Sequence, residues 1–247
     1  MTNRDIASLA AANLFYRRPD LYDQVQSDSE HTVARQVARL VSAHAPRART
    51  VLDFGCGTGR DLAYLADQFD CVGVDLQAQM VAYAREVQPQ LDIRLGDMRD
   101  FRLGRTVDVI TCLGNSLAYV HDDDDLAAVF ATFADHARPG TLLILATLTE
   151  PVLAAPRTHQ VVTADLRGEV TISYEWDEAK HINTMHRVWR LQDGTTSEDC
   201  VRRRVISHDQ LRSLSTAVNF ETAHIAADLR SYFVAIRRTT MTPHSIT

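Results

Sequence analysis

The sequence is poor in the features that mark secreted, membrane-borne or fibrous proteins. It has four cysteines in 247 residues, Cys56, Cys71, Cys112 and Cys200, and no CxxC pair. Three of them lie in or beside apolar runs, where a cysteine behaves as a small buried hydrophobe. No disulfide framework is expected, and a reducing compartment follows. No apolar run approaches the ~20 residues of a membrane span, and the N-terminus lacks the apolar core of a signal peptide. A cytoplasmic protein with no membrane partner is therefore expected. Only 7 Pro and 10 Gly stand against 45% hydrophobic residues, so low-complexity and disordered classes are excluded for the body of the chain. There is no internal repeat. Basic residues are not in excess: the net charge is −6, which argues against nucleic acid as a main partner. The one basic run, Arg202-Arg203-Arg204, reads as a solvated strand edge.

What remains is a regular alternation. Residues 5–18 read as a helix broken at Pro19, and 29–45 as a helix with apolar positions 33, 37, 40 and 41, ended by Pro46. Short β-rich runs follow at 50–56, 71–76, 92–98, 107–114 and 141–148. Helical stretches at 60–69, 79–87 and 125–137 alternate with them, and a Pro139-Gly140 turn precedes the last strand. This order predicts βαβ units and a parallel sheet. The continuous apolar character of 107–113 and 141–148 fits strands buried on both faces. After Pro151 the pattern changes to an antiparallel meander over 160–206, with turns at 177–180 and 192–194. A helix over 207–218, N-capped by Ser207, and a closing hairpin end the fold; the tail from Thr239 is expected to fray.

The stretch "VLDFGCGTG" is a strand running into Gly55, Gly57 and Gly59. Glycines there let the backbone turn tightly and approach a ligand without a Cβ in the way. Asp53 precedes the loop, Asp75 ends the next strand, and Asp97 ends the third, in "GDMRDF". A dinucleotide dehydrogenase would need a glycine three residues after Gly57 for close helix packing; Arg60 stands there. Together these motifs resemble the class I S-adenosylmethionine-dependent methyltransferases, over residues 50–148 above all. The resemblance implies that Asp75 binds the cofactor ribose and Asp97 the adenine amino group, with Met98 beside the ring. It extends the cofactor set to Asp53, Gly55, Cys56, Gly57, Gly59, Leu76, Met80, Leu113 and Gly114. The product would be S-adenosylhomocysteine.

"CLGNSLAYVHDDDD" closes the fourth strand, where ligands of open parallel sheets bind. This segment resembles that of glycine and sarcosine N-methyltransferases and, more loosely, of amino-sugar N-methyltransferases. In the first group the asparagine matching Asn115 helps bind the amino acid; the other reading is that Asn115 only caps the turn. Asp122 to Asp125 are read as the N-cap and first turn of a helix. Four successive residues point to different sides of a helix and make a poor metal cage, so no metal is expected.

Methyl transfer needs an aligned acceptor with a free lone pair; a base helps an amine and is more often needed for a hydroxyl. Asn115, Tyr119, His121 and Tyr22 are the candidate catalytic residues. Tyr16, His181, His186 and Arg157, the last as a carboxylate anchor, are further candidates. In amino-sugar relatives a tyrosine often stands where this chain has Gln26. The expected fold is a seven-stranded Rossmann-like α/β methyltransferase sheet (48–150 and 207–239), an N-terminal helical lid (1–47) and an inserted antiparallel β cap (151–206). The expected activity is methyl transfer to a small-molecule amine: an amino acid, an amino sugar or a natural-product intermediate. Transfer to a hydroxyl or carboxylate, and a non-catalytic cofactor-binding protein, are the alternatives. A homodimer through the cap completes the expectations.

Overall fold

The computed structural model describes residues 13–26, 28–164, 166–226 and 232–237. The expected helix start at residue 5 and the fraying from Thr239 lie outside them. Two short helices open the described chain, α1 (Leu14–Arg17) and α2 (Pro19–Val25), followed by α3 (Thr32–His44). Pro19 does not simply end a helix: it occupies the first position of α2, where a missing N–H is no loss. Then come β1 (Thr50–Phe54), α4 (Arg60–Leu65), β2 (Asp70–Asp75), α5 (Ala78–Val87), β3 (Asp92–Leu95) and β4 (Val107–Cys112). A 3-10 turn over Ser116–Tyr119 leads to α6 (Asp123–Asp135) and β5 (Ala137–Ala146). The cap strands are β6 (Arg157–Val162), β7 (Arg167–Asp177), β8 (Ile182–Leu191) and β9 (Thr196–Arg204). α7 (His208–Ala217), β10 (Phe220–Ala226) and β11 (Tyr232–Arg237) close the fold.

Seven strands form one sheet in the order β10-β11-β5-β4-β1-β2-β3, and β6 to β9 form a second, antiparallel one. β1 is parallel to both β2 and β4, with Leu52 between Val72 and Ile110; β11 is antiparallel to β5. This is the expected fold class. Side chains alternate between two layers. On one face Val51, Val109, Leu142 and Ile144 pack with α3, α4 and α5 through Val37, Leu62 and Val81. On the other, Leu52, Ile110, Leu143 and Leu145 pack with α6 and α7 through Phe130, Phe133 and Leu211. A third cluster joins lid to cap: Phe15 and Leu21 meet Val161, Val170 and Trp189.

Local chemistry sets the boundaries. Ser207 accepts the Gln210 amide as expected of an N-cap. The turns at 177–180 and 192–194 separate β7 from β8 and β8 from β9. Two expectations need correction. The Pro139-Gly140 turn lies inside β5, where the register with β4 shifts between Val107 and Val109 and the Arg138 amide turns to Thr141 Oγ1. Pro139 has no N–H to donate to a ladder, so an irregularity there is the local solution. The run 202–204 is not simply solvated: Arg204 is 8% exposed. Its guanidinium donates to the His121 carbonyl at 2.7 Å and pairs with Asp123.

Candidate active site

The three glycines do three different things. Gly55 has a φ of +76°, and a Cβ there would lie 2.3 Å from Ser116 Oγ; its lack of a Cβ admits the turn after β4. Gly57 has a φ of +57° with nothing within 4 Å of a Cβ, so this part of the loop is open. Gly59 sits at the N-cap of α4, and a Cβ there would lie 3.5 Å from Leu91 and Ile93. The loop is pinned on both sides. The amides of Gly55 and Cys56 donate to the Val74 carbonyl at 2.7 and 3.1 Å. Thr58 Oγ1 donates to Asp23 of the lid at 2.6 Å, and Arg60 donates to the Gln26 carbonyl at 2.7 Å.

A cavity opens beyond the carboxyl ends of β1, β2 and β3, where an open parallel sheet binds its ligands. Phe54, Gly55, Val74 and Asp75 line it from the first two strands; Leu76, Gln77, Gly96, Asp97, Met98 and Arg99 line one side. Ser116, Tyr119 and Val120 line another, and Tyr16 comes from the lid. Of the expected cofactor residues, Gly55, Asp75, Leu76, Asp97 and Met98 meet here.

Asp75 is 8% exposed, and burial pushes its carboxyl up, opposed by the amides of Gln77 and Gly57. Those amides donate at 2.8 Å, one to each carboxylate oxygen. A carboxylate has about four lone-pair sites, so each oxygen retains capacity for one ribose hydroxyl. Asp97 is already engaged: the Arg99 guanidinium forks onto it at 3.0 and 2.5 Å and reaches Asp125 of α6 at 2.7 Å. Any adenine amino group would share that carboxylate with Arg99. The donor set, the open loop at Gly57 and the apolar Leu76, Met98 and Val120 fit a nucleoside carrying a charged tail.

Other expected residues lie elsewhere. Asp53 is under the loop, 5% exposed, accepting from Thr111 Oγ1 at 2.6 Å. Burial pushes its carboxyl up to about 8. Cys56 is half-buried, its Sγ 2.8 Å from where a Gly73 Cβ would be; burial raises its thiol. Met80 is not in the cavity lining: at 1% exposed it points inward from α5. Leu113 is buried at 5%, and Gly114 is exposed with a φ of +63° and open space around it.

Among the catalytic candidates, Tyr119 lines the cavity, its ring 6.0 Å from that of Tyr16. Burial raises the Tyr16 phenol well above its ordinary value, with Tyr119 adding to the shift; this phenol stays protonated at neutral pH. Asn115 adopts the left-handed conformation, φ +66°, and its amide donates to the Ala146 carbonyl at 3.0 Å. His121 turns away from the cavity: Nε2 lies 3.2 Å from the Arg202 carbonyl. A carbonyl only accepts, so Nε2 carries the proton, and burial lowers the imidazole's affinity for a second one. Tyr22 packs edge-on against Phe15 with Arg60 over its ring, again outside the lining. Arg157 is exposed at the start of β6. His181 packs on Trp176, and His186 faces Glu175 at 3.5 Å.

The aspartate run is a helix start. Asp122 is the N-cap and Asp123 to Asp125 the first turn of α6, with Asp123 on Arg204 and Asp125 on Arg99. No cluster of three metal-ligating side chains occurs among the described residues. Gln77, Arg99, Ser116 and Val120 are lining residues that sequence reasoning missed. Arg99 carried a signal as part of "GDMRDF", and Ser116 and Val120 as part of "CLGNSLAYVHDDDD"; Gln77 carried none.

Known proteins share this chain's sequence pattern and fold. A family profile described as a methyltransferase domain matches residues 51–140. The dTDP-3-amino-3,6-dideoxy-alpha-D-glucopyranose N,N-dimethyltransferase of Streptomyces fradiae is 32% identical over 220 residues, 87% of this chain and 83% of that protein. The dTDP-3-amino-3,4,6-trideoxy-alpha-D-glucopyranose N,N-dimethyltransferase of Streptomyces venezuelae is 36% identical over 113 residues, 45% of this chain and 48% of that one. Among solved structures, an S-adenosylmethionine-bound amino pentose methyltransferase of calicheamicin biosynthesis from Micromonospora echinaspora superposes with a TM-score of 0.80. It is 25% identical, with 91% of this chain and 98% of that one covered.

Proposed function

This chain belongs to the class I S-adenosylmethionine-dependent methyltransferases, and we propose that it methylates the amino group of a nucleotide-linked deoxyamino sugar. The observation that carries this reading is the similarity to the Streptomyces fradiae enzyme along 87% of the chain. That span is too long to be a cofactor domain alone. It extends beyond the cofactor-binding sheet into the second sheet, β6 to β9. Gln26, which departs from the amino-sugar pattern, does not line the cavity; its carbonyl serves Arg60 instead.

The bound cofactor supplies a methyl group already activated on a sulfonium. The chain's own tasks are to hold, align and dry. Asp75 receives the ribose hydroxyls on the capacity left by Gly57 and Gln77. Arg99 holds Asp97 in place at the adenine end. Tyr16 from the lid, a neutral phenol, and Tyr119 from the turn after β4, its neighbour at 6.0 Å between rings, meet at the cavity. Asn115, whose backbone amide is engaged by the Ala146 carbonyl, offers its side-chain amide at the acceptor edge, beside the open surface of Gly114. An amine must arrive neutral, and His121, turned toward the Arg202 carbonyl and away from the cavity, does not face it. The four cysteines are free thiols, in keeping with a cytoplasmic enzyme. No helix among the described residues is long and apolar enough to cross a membrane. The exposed edge strand β6 is where a homodimer through the cap would form, and the mass in solution tests it.

The test is a panel of acceptors incubated with S-adenosylmethionine and read by mass spectrometry. Addition of one or two methyl groups to dTDP-linked 3-amino or 4-amino deoxysugars supports the reading. Turnover of glycine or of a hydroxylated acceptor, with the amino sugars untouched, refutes it.

A further inference from the structure

The cap holds an ion pair that the methyltransferase chemistry does not use. Arg187 of β8 and Asp199 of β9 are cross-strand partners, with side chains 5% and 0% exposed. Arg187 Nε donates to Asp199 at 2.6 Å and Nη2 at 3.0 Å. Taking two charges out of water is expensive, and a well-packed apolar pair would serve the sheet as well or better. The remaining bonds of the pair give it another purpose. Asp199 also accepts the Leu14 amide at 3.1 Å and Trp189 Nε1 at 3.3 Å. Arg187 Nη2 also donates to the Asn13 side-chain oxygen, and its guanidinium lies 4.6 Å over the Phe15 ring. Three consecutive lid residues, Asn13, Leu14 and Phe15, are thus fastened to one buried charge pair of the cap. The next residue is Tyr16, which lines the cofactor cavity.

We propose that Arg187 and Asp199 are positioning residues for the cofactor site, acting through the lid: they set Tyr16 over the cavity and make the cap and the cofactor pocket respond to each other. The lid's other end is tied to the glycine loop by Asp23–Thr58 and Arg60–Gln26. The lid is therefore a strap with one end on the cap and the other on the loop. A cofactor that closes the pocket favours the docked strap. By linkage, the docked strap favours the cofactor to the same degree.

The lid side of the latch can be cut without touching the buried pair. Asn13→Ala removes the oxygen that meets Arg187 and that caps α1 by accepting the Phe15 amide at 3.1 Å, while Asn13→Asp keeps both contacts. Trp189, 1% exposed and 5.5 Å from the Phe15 ring, reports docking; a Trp176→Phe background leaves it the sole tryptophan. Asn13→Ala is expected to weaken S-adenosylhomocysteine binding about fivefold or more. The Trp189 emission should shift to the red without ligand and return at saturation. Asn13→Asp should behave as the parent. Arg187→Lys, which keeps the charge and loses the fork, should weaken binding too, and less than additively when combined with Asn13→Ala. Binding within twofold of the parent for Asn13→Ala, an unchanged emission, or full additivity of the two would overturn the proposal. So would global unfolding of Asn13→Ala, seen by circular dichroism, which would make the contact structural.

Discussion

Gly55→Ala is expected to be the most damaging small substitution in the glycine loop, for two separable reasons. The first is backbone: φ is +76°, and a residue with a Cβ held in the left-handed region costs about 1–2 kcal/mol. The second is steric. The new Cβ would lie 2.3 Å from Ser116 Oγ and 2.4 Å from Ser116 Cβ. Gly55 cannot yield, because its amide is bound to Val74 at 2.7 Å. Forcing an extra methyl into a packed site costs about 1–3 kcal/mol. The sum is about 2–5 kcal/mol, a large share of the roughly 5–15 kcal/mol that holds a domain together. Urea or thermal unfolding, analysed as a double-mutant cycle with Ser116, separates the two. Ser116→Gly removes both clashing atoms and should restore about 1–3 kcal/mol of the loss, leaving the backbone part. Ser116→Ala keeps the Cβ and should restore little. A Gly55→Ala variant within about 0.5 kcal/mol of the parent, or rescue by Ser116→Ala equal to that by Ser116→Gly, would refute the reasoning.

Asp75→Ala should weaken S-adenosylhomocysteine binding by about tenfold or more, since an acceptor of two hydroxyls is lost; calorimetric titration measures it, and unchanged affinity removes Asp75 from the ribose role. Asp53 holds its proton in the fold up to about pH 8, while the unfolded chain releases it near 3.8, so its contribution is greatest in acid and declines as pH rises between these values. Asp53→Asn should therefore lack this decline in melting temperature, and parallel pH profiles for the two proteins would contradict it. Arg204→Ala leaves the His121 carbonyl and Asp123 without their partner and should destabilise by about 1–3 kcal/mol, read by denaturant unfolding; a neutral result would make the contact incidental. Methyl transfer should survive chelation, because Asp123 and Asp125 are engaged by Arg204 and Arg99; activity lost to a chelator and restored by magnesium would reinstate the aspartates as ligands.

Elements defined by neighbouring residues were legible in the sequence. "VLDFGCGTG" and the acids after β2 and β3 announced the cavity because strand, loop and acid follow one another along the chain. The aspartate run was legible as a helix start because capping is local. What depends on partners far along the chain was not. Arg99 meets Asp125, 26 residues on. His121 is turned by Arg202 and Arg204, about eighty residues away, so its place near the active-site turn did not make it a lining residue. Met80, assigned to the cofactor by the resemblance, lies on the buried stripe of α5 with Val81 and Ala84 and outside the cavity lining. The Asn13–Arg187 contact spans 174 residues, and no local pattern carries it.

The most direct measurement uses S-adenosylmethionine labelled with carbon-13 in its methyl group and a dTDP-linked amino deoxysugar that carries both a free amine and a free hydroxyl. Nuclear magnetic resonance of the product locates the label. The account predicts it on the sugar nitrogen, with transfer weakened by Asp75→Ala. Label on oxygen, or none transferred while S-adenosylhomocysteine binds normally, would contradict it.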